Sequence, residues 1–272
     1  MESKITLTSS DDIAFVTMVN EARANSIDKA FCDELLGVLR EVEGSAKYRA
    51  VILQAKGRIF SAGGELRQIF DGVQRSDSYL ESLITALHAT IVAMRRLPIP
   101  VIASVQGAAA GAGFSLAMAC DLVVASSTAR FVVGYAKLGT SSDGGLSFHL
   151  ARRLGAPRAL EILLTRDSLT ADEARQLGLV QSIAEPASLQ DTTLALARKI
   201  IDVPVTAVRE MKSLVGMVAE DSLERHLERE NMRSCDARRR RSFPSESHNS
   251  SQTLSRPEAH RPEDKNLVSR KV

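Results

Sequence analysis

Twice along the chain the sequence is reduced almost to bare backbone, at Phe60-Ser61-Ala62-Gly63-Gly64 and at Gly107-Ala108-Ala109-Ala110-Gly111-Ala112-Gly113. Residues with almost no side chain let the main chain approach another segment closely, and that is what such runs of glycine and alanine are for. The second run joins a β-rich stretch, Val101-Ile-Ala-Ser-Val105, to a helical stretch over 111–120, so a strand has to become a helix within a few small residues. A fold that alternates strands and helices meets this requirement.

The rest of the sequence has the same rhythm. Ile13–Val19 and Ala50–Ala55 are apolar β-rich runs. Between them Phe31, Leu35, Leu39 and Val42 recur at helical spacing, with Ser26 or Asp28 available as N-cap. Leu80, Leu83, Leu87, Ile91 and Met94 mark a helix over 77–96, and Pro98 and Pro100 mark the turn into the next strand. Leu122–Ala125 and Phe131–Val133 read as short strands. From Leu146 onward the chain is expected to be mostly helical, with a Thr170/Glu173 capping box and helices over 188–201, 204–217 and 220–234. Arg152 and Arg153 read as the outer face of a helix.

Composition limits the classes. A chain of 272 residues with 44% hydrophobic content can enclose one sizeable core. No apolar run reaches the roughly 18 residues needed to span a bilayer, and the N-terminus lacks a basic segment followed by an apolar one, so a cytoplasmic location is expected with no membrane contact. Cys32, Cys120 and Cys235 are scattered, which suggests neither a disulfide framework nor a metal site; Cys32 and Cys120 read as small core residues. The net charge of +2 is uneven. Residues 236–272 carry nine Lys/Arg and five Asp/Glu, a balance of +4, which leaves −2 for residues 1–235. A slightly acidic body makes nucleic acid an unlikely partner of the folded part. With seven hydrophobic residues in 37, the tail is expected to be disordered. The expected division is therefore a core over 1–200, a helical region over 201–235 and a basic tail over 236–272.

Five motifs in order, Asn20-Glu-Ala-Arg-Ala-Asn25, Phe60-Ser-Ala-Gly-Gly-Glu65, Pro100-Val-Ile-Ala-Ser-Val-Gln-Gly107, Gly111-Ala-Gly-Phe-Ser-Leu-Ala-Met-Ala-Cys-Asp121 and Leu138-Gly-Thr-Ser-Ser-Asp-Gly-Gly145, resemble the crotonase superfamily, the enoyl-CoA hydratase/isomerase family, from about Ile13 to Asn231. The resemblance implies an α/β fold, a right-handed spiral of ββα units followed by C-terminal helices, and assembly as a homotrimer or homohexamer. It implies an acyl-CoA thioester as substrate, with coenzyme A entering as part of that substrate and no separate cofactor or metal. It also places two backbone donors, the N–H groups of Gly64 and Ala112, around the thioester oxygen. The physics agrees, because amides fixed at a helix N-terminus stabilise charge building on a carbonyl oxygen without having to reorganise. The alternative is that both turns serve close packing alone.

Hydratases of this family use two glutamates, and those positions fall here on Ser115 and Tyr135, read as substrate-binding. Neither is a carboxylate, so ordinary hydration, which needs one group to activate water and another to deliver a proton, is disfavoured. Asp143 offers a replacement. Its loop resembles the acid-bearing loop of enoyl-CoA isomerases, where one carboxylate can take a proton from C2 and return it at C4; read simply, it is an Asp-Gly turn. His88 together with Asp143, and an aromatic at Tyr135, resembles 4-chlorobenzoyl-CoA dehalogenases, where Asp attacks the ring and His activates water; a lone His on an apolar helix also fits packing or a solvent-facing role. The resemblance lays CoA across Ala22, Arg23, Ala24 and Ala62, with Arg23 on a phosphate or else a solvated loop charge. The leading expectation is an acyl-CoA isomerase. Dehalogenation, atypical hydration and a non-catalytic acyl-CoA- or RNA-binding relative are the alternatives.

Overall fold

The computed structural model describes residues 3–75 and 78–217, together with Arg225, residues 227–229 and Met232. The expected tail over 236–272, most of the expected helix over 220–234 and Cys235 lie outside the described residues. In chain order the elements are β1 (Ile5–Ser10), β2 (Ile13–Met18), α1 (Lys29–Glu43), β3 (Ala50–Ala55), α2 (Leu66–Arg75), α3 (Ser78–Arg96), β4 (Val101–Val105), β5 (Ala108–Ala110), α4 (Ala112–Ala119), β6 (Leu122–Ser126) and β7 (Arg130–Val132). They continue with α5 (Leu146–Leu154), α6 (Ala156–Thr165), β8 (Ser168–Thr170), α7 (Ala171–Gln176), β9 (Ser182–Ala184), α8 (Leu189–Ile201) and α9 (Val205–Met217).

Strands β2, β3, β4, β6 and β9 run parallel in a six-stranded sheet whose edge, β1, pairs antiparallel with β2. The period of two along each strand sorts its side chains between two cores. Val51, Leu53, Val101, Ala103, Val105, Val123 and Ala125 face the large core with α1, α3 and α4. Ile13, Ile52, Ile102 and Val124 face the opposite side, where Leu189 and Ala197 of α8 cover them.

A second layer carries the spiral. After leaving the large sheet the chain makes a short parallel pairing with the neighbouring turn: Ile27 with Gly64, Ser61 with Ala109, then β5 with β7, and finally β8 antiparallel on β7. In the first two turns this second strand shrinks to a single bridged residue. The result is the expected α/β spiral of ββα units, right-handed as parallel crossovers require.

Most local expectations match. Asp28, not Ser26, caps α1, its carboxylate accepting from the Phe31 N–H at 2.9 Å. The Thr170/Glu173 capping box is present at α7. Several points differ, α2 and β5 among them, which lie outside the expected elements. β1 was not expected, because Thr6, Thr8, Ser9 and Ser10 mask the alternation of Ile5 and Leu7 on an edge strand. β8 and β9 interrupt the stretch expected to be helical. Arg153 is not on an outer face: it is half-buried and donates to the carbonyls of Met118 at 3.0 Å and Cys120 at 3.1 Å, satisfying the end of α4. Arg152 is exposed, yet it donates to the carbonyls of Val215 and Gly216 at the end of α9.

Candidate active site

The site begins where successive turns of the spiral touch. The Ser61 N–H donates to the Ala108 carbonyl at 3.1 Å, and the Ala110 N–H donates back to the Ser61 carbonyl at 2.9 Å. On the other side the Ile27 N–H donates to the Gly63 carbonyl at 2.7 Å and the Glu65 N–H to the Ile27 carbonyl at 3.2 Å. Gly64 sits between these bonds, and among the described residues no turn or loop hydrogen bond uses its N–H or that of Ala112. The two glycine turns are in direct contact. A Cβ on Gly63 would stand 2.5 Å from the Ala110 oxygen and 3.2 Å from the Ala112 nitrogen, and one on Gly113 would stand 2.7 Å from the Ser61 oxygen. Gly63 also needs its φ of +83°. Ala112 is the first residue of α4, a helix buried along its whole length, and Gly111 precedes it at φ 51°. The positive end of that helix therefore lies at the Ala112 N–H.

Asp143 lies in the loop between β7 and α5, half-buried, and it is the centre of a hydrogen-bonded cluster. The Tyr135 hydroxyl donates to Asp143 Oδ1 at 2.5 Å. Ser115 Oγ, on α4, lies 3.1 Å from the Tyr135 hydroxyl and donates to the Asp143 main-chain oxygen at 2.9 Å, with the Gly111 carbonyl a further acceptor at 3.3 Å. Ser115 and Tyr135 are both buried. Gly144 lets the loop seat, since a Cβ there would stand 2.8 Å from that of Ser115. Burial pushes the Asp143 carboxyl above the ordinary carboxylate range, against the opposing pull of the Tyr135 hydrogen bond and of His88. Burial, then the Asp143 charge, raises the Tyr135 phenol, so it stays a donor.

A sequence model of the enoyl-CoA hydratase/isomerase family matches residues 8–247. The chain belongs to this family. It is similar to the 1,2-epoxyphenylacetyl-CoA isomerase of Escherichia coli K12, 30% identical over 216 residues that cover 79% of this chain and 82% of that one. It is also similar to the 4-chlorobenzoyl coenzyme A dehalogenase-2 of an Arthrobacter species, 29% identical over 83% of this chain and 82% of that enzyme. Among solved structures, an enoyl-CoA hydratase from Polaromonas sp. JS666 superposes with a TM-score of 0.82 at 33% identity, covering 85% of this chain and 90% of that one. The fold is thus the crotonase fold.

The remaining residues expected at a crotonase site are more dispersed. His88 is exposed on α3, and its charge acts on Asp143. Ala22 and Arg23 form an exposed short turn before α1, closed by Ala24 in the left-handed region. The Arg23 guanidinium reaches Glu65 Oε2 at 3.6 Å with its side chain 60% exposed. Ala62 is exposed; its N–H donates to the Ala24 carbonyl at 2.9 Å, and no turn or loop bond among the described residues uses its carbonyl.

Two residues that shape this region had no role assigned from the sequence. Asn25 is buried and donates from Nδ2 to the carbonyls of Lys56 and Ile59, each at 2.9 Å. Gln106 donates from Nε2 to the carbonyls of Ala55, Gly57 and Ile59 at 3.1–3.2 Å. Together they staple the loop before the first glycine turn to its neighbours on both sides. Both lie inside motifs quoted above, but side-chain amides serving backbone carbonyls of another loop leave no periodic signal. Among the described residues no group of His, Cys, Asp and Glu is arranged to hold a metal ion, and no helix is long and apolar enough to cross a membrane.

Proposed function

We propose that the protein is an acyl-CoA isomerase acting on an enoyl-CoA thioester, with Asp143 as the single acid/base. The observation that carries this reading is the cluster around Asp143. A carboxyl group of raised proton affinity stands where Ser115 and Tyr135 supply hydroxyls, whereas a hydratase would use further carboxylates. In this mechanism the N–H groups of Gly64 and Ala112 hold the thioester oxygen. The Asp143 carboxylate removes a proton from C2 of a 3-enoyl-CoA, and charge moves onto the thioester oxygen as a dienolate forms. The same carboxyl group then returns the proton at C4, which shifts the double bond into conjugation and regenerates the carboxylate. No water is consumed. Two preorganised amides are well suited to this step, since each such donor contributes about 3 kcal/mol of transition-state stabilisation.

CoA in this reading passes over Ala22, Arg23 and Ala24. The unused Ala62 carbonyl accepts from the adenine amine, and Arg23 turns from Glu65 to a phosphate. Phe148 on α5 and Leu160 and Leu164 on α6 are exposed apolar side chains that assembly into a trimer would cover. The deciding experiment offers 3-enoyl-, 2-enoyl- and 4-halobenzoyl-CoA to the wild type and to Asp143→Asn. Isomerisation of the 3-enoyl thioester that disappears in the variant is the expected result; isomerisation retained in Asp143→Asn removes Asp143 from the mechanism.

A second reading, hydrolytic dehalogenation, is favoured by one observation: His88 acts electrostatically on Asp143, the pair that such chemistry needs as water activator and ring nucleophile. Halide release from the 4-halobenzoyl thioester, lost in both Asp143→Asn and His88→Gln, would establish it in place of isomerisation.

A further inference from the structure

We infer that Tyr135 is the positioning residue of Asp143, and that Ser115 keeps the tyrosine hydroxyl engaged whether the carboxyl group holds a proton or not. The inference rests on Asp143 being the acid/base.

An acid/base that alternates between two protonation states presents a different hydrogen-bonding need in each, and a buried partner that suits only one is left unsatisfied in the other. The three side chains avoid this. When Asp143 is ionised, Tyr135 donates to Oδ1 and Ser115 donates to the Asp143 main-chain oxygen. When Oδ1 carries the proton, the carboxyl group donates to the tyrosine oxygen. The tyrosine hydrogen turns to Ser115 Oγ, 3.1 Å away, and the serine hydrogen still has the carbonyls of Asp143 and Gly111 within reach. No hydroxyl is asked for two hydrogens, and no proton leaves the cluster. A proton taken up on Oδ2 instead leaves the Tyr135–Oδ1 hydrogen bond as it is in the anion, so the tyrosine stays engaged whichever oxygen holds the proton. Glutamates at positions 115 and 135 would instead add two charges beside Asp143.

The other titratable groups facing Asp143 are His88 from α3, which stabilises its anion, and Cys32 from α1, a thiol pushed up to about 12 and therefore neutral. Neither is altered in the variants that test the inference.

The test titrates Asp143 directly. The full chain is labelled with carboxyl-13C aspartate, and the Asp143 resonance is assigned by its loss in Asp143→Asn. Losing a donor to the carboxylate raises its pKa. Tyr135→Phe should therefore shift the titration upward by about one unit or more, the effect of one hydrogen bond to a charged group. Ser115→Ala should shift it less and in the same direction, and the double variant should go no further than Tyr135→Phe alone, because the serine acts through the tyrosine. In turnover of a 3-enoyl-CoA, the acid limb of kcat should move with the titration while KM changes little. An unshifted Asp143 in Tyr135→Phe overturns the inference, as does an unshifted Asp143 in Ser115→Ala should the tyrosine variant not fold. Additive shifts overturn the part assigned to Ser115. If the titration shifts as stated while Asp143→Asn still isomerises, the positioning role stands and the proposed function falls.

Discussion

Gly63→Ala probes the contact between the two glycine turns. The added Cβ would lie 2.5 Å from the Ala110 carbonyl oxygen, where ordinary contact begins at 3.4 Å, and the obstacle is backbone that cannot swing aside. The turns must separate by roughly an ångström, and alanine must also hold a left-handed φ that costs about 1 kcal/mol. Ala112 follows Ala110 by two residues, so its N–H moves with the displaced carbonyl. A donor misplaced by about 1 Å loses on the order of a hundredfold in rate, close to the loss from removing one donor outright. The assay is kcat for the proposed isomerisation of a 3-enoyl-CoA, paired with thermal unfolding. The expected outcome is a fall in kcat of about a hundredfold, with Tm lower by about 2–4 °C for each kcal/mol lost in a domain of this size. A folded Gly63→Ala protein with wild-type kcat would show that the apposition of the turns is irrelevant to the chemistry.

Three further outcomes can be measured. Asp143 has a folded pKa raised above its ordinary 3.8, so the stability it lends is present below that value and lost as pH rises through the folded pKa; Asp143→Asn should therefore melt above the wild type at pH 7.5, and an equal or lower Tm would contradict the burial argument. His149 is buried, and that burial together with Arg153, Arg95 and Arg152 lowers its pKa to about 4, so the unfolded chain takes up a proton first as pH falls below 6.5. Up to about 3 kcal/mol of stability should be lost between pH 6.5 and 4, and His149→Gln should flatten that limb in urea titrations; an unchanged slope would refute the assignment. Lys212, on α9, meets Asp121 Oδ2 at 2.7 Å and the Ile99 carbonyl at 2.9 Å, while no residue of α9 is buried. Lys212→Met should loosen α9 by about 2 kcal/mol, less than for an isolated buried pair because Asp121 keeps Arg95 and the Val101 N–H, and hydrogen exchange over 205–217 should rise accordingly.

What could be read in the sequence depended on whether a residue's role repeats along its own element. Phe31, Leu35, Leu39 and Val42 announce α1 because one helical face meets one core, and the continuous apolar run in Ala50–Ala55 announces β3 because its two faces meet two cores. β1 escaped because its hydroxyl side chains lie on an edge. Arg153 escaped because capping another helix is a long-range act, invisible in its own periodicity. The site divided in the same way. The glycine turns and Asp143 stand out through resemblance to a family, and the approach of Gly63 to Ala110 explains why glycine is needed there. The linkage of Ser115, Tyr135 and Asp143 joins a helix to the connection between β7 and α5, and only the folded chain brings their oxygens within bonding distance.

The single-residue bridges of the second layer, Ile27 with Gly64 and Ser61 with Ala109, also bear on how the protein acquires activity. Each joins segments more than thirty-five positions apart, so no local fragment can assemble the two proposed donors. Closing such distant loops is entropically slow relative to forming a helix. Competence for catalysis should therefore emerge late and all at once during refolding, after helical signal has recovered, which makes regained turnover a stricter gauge of native stacking than circular dichroism.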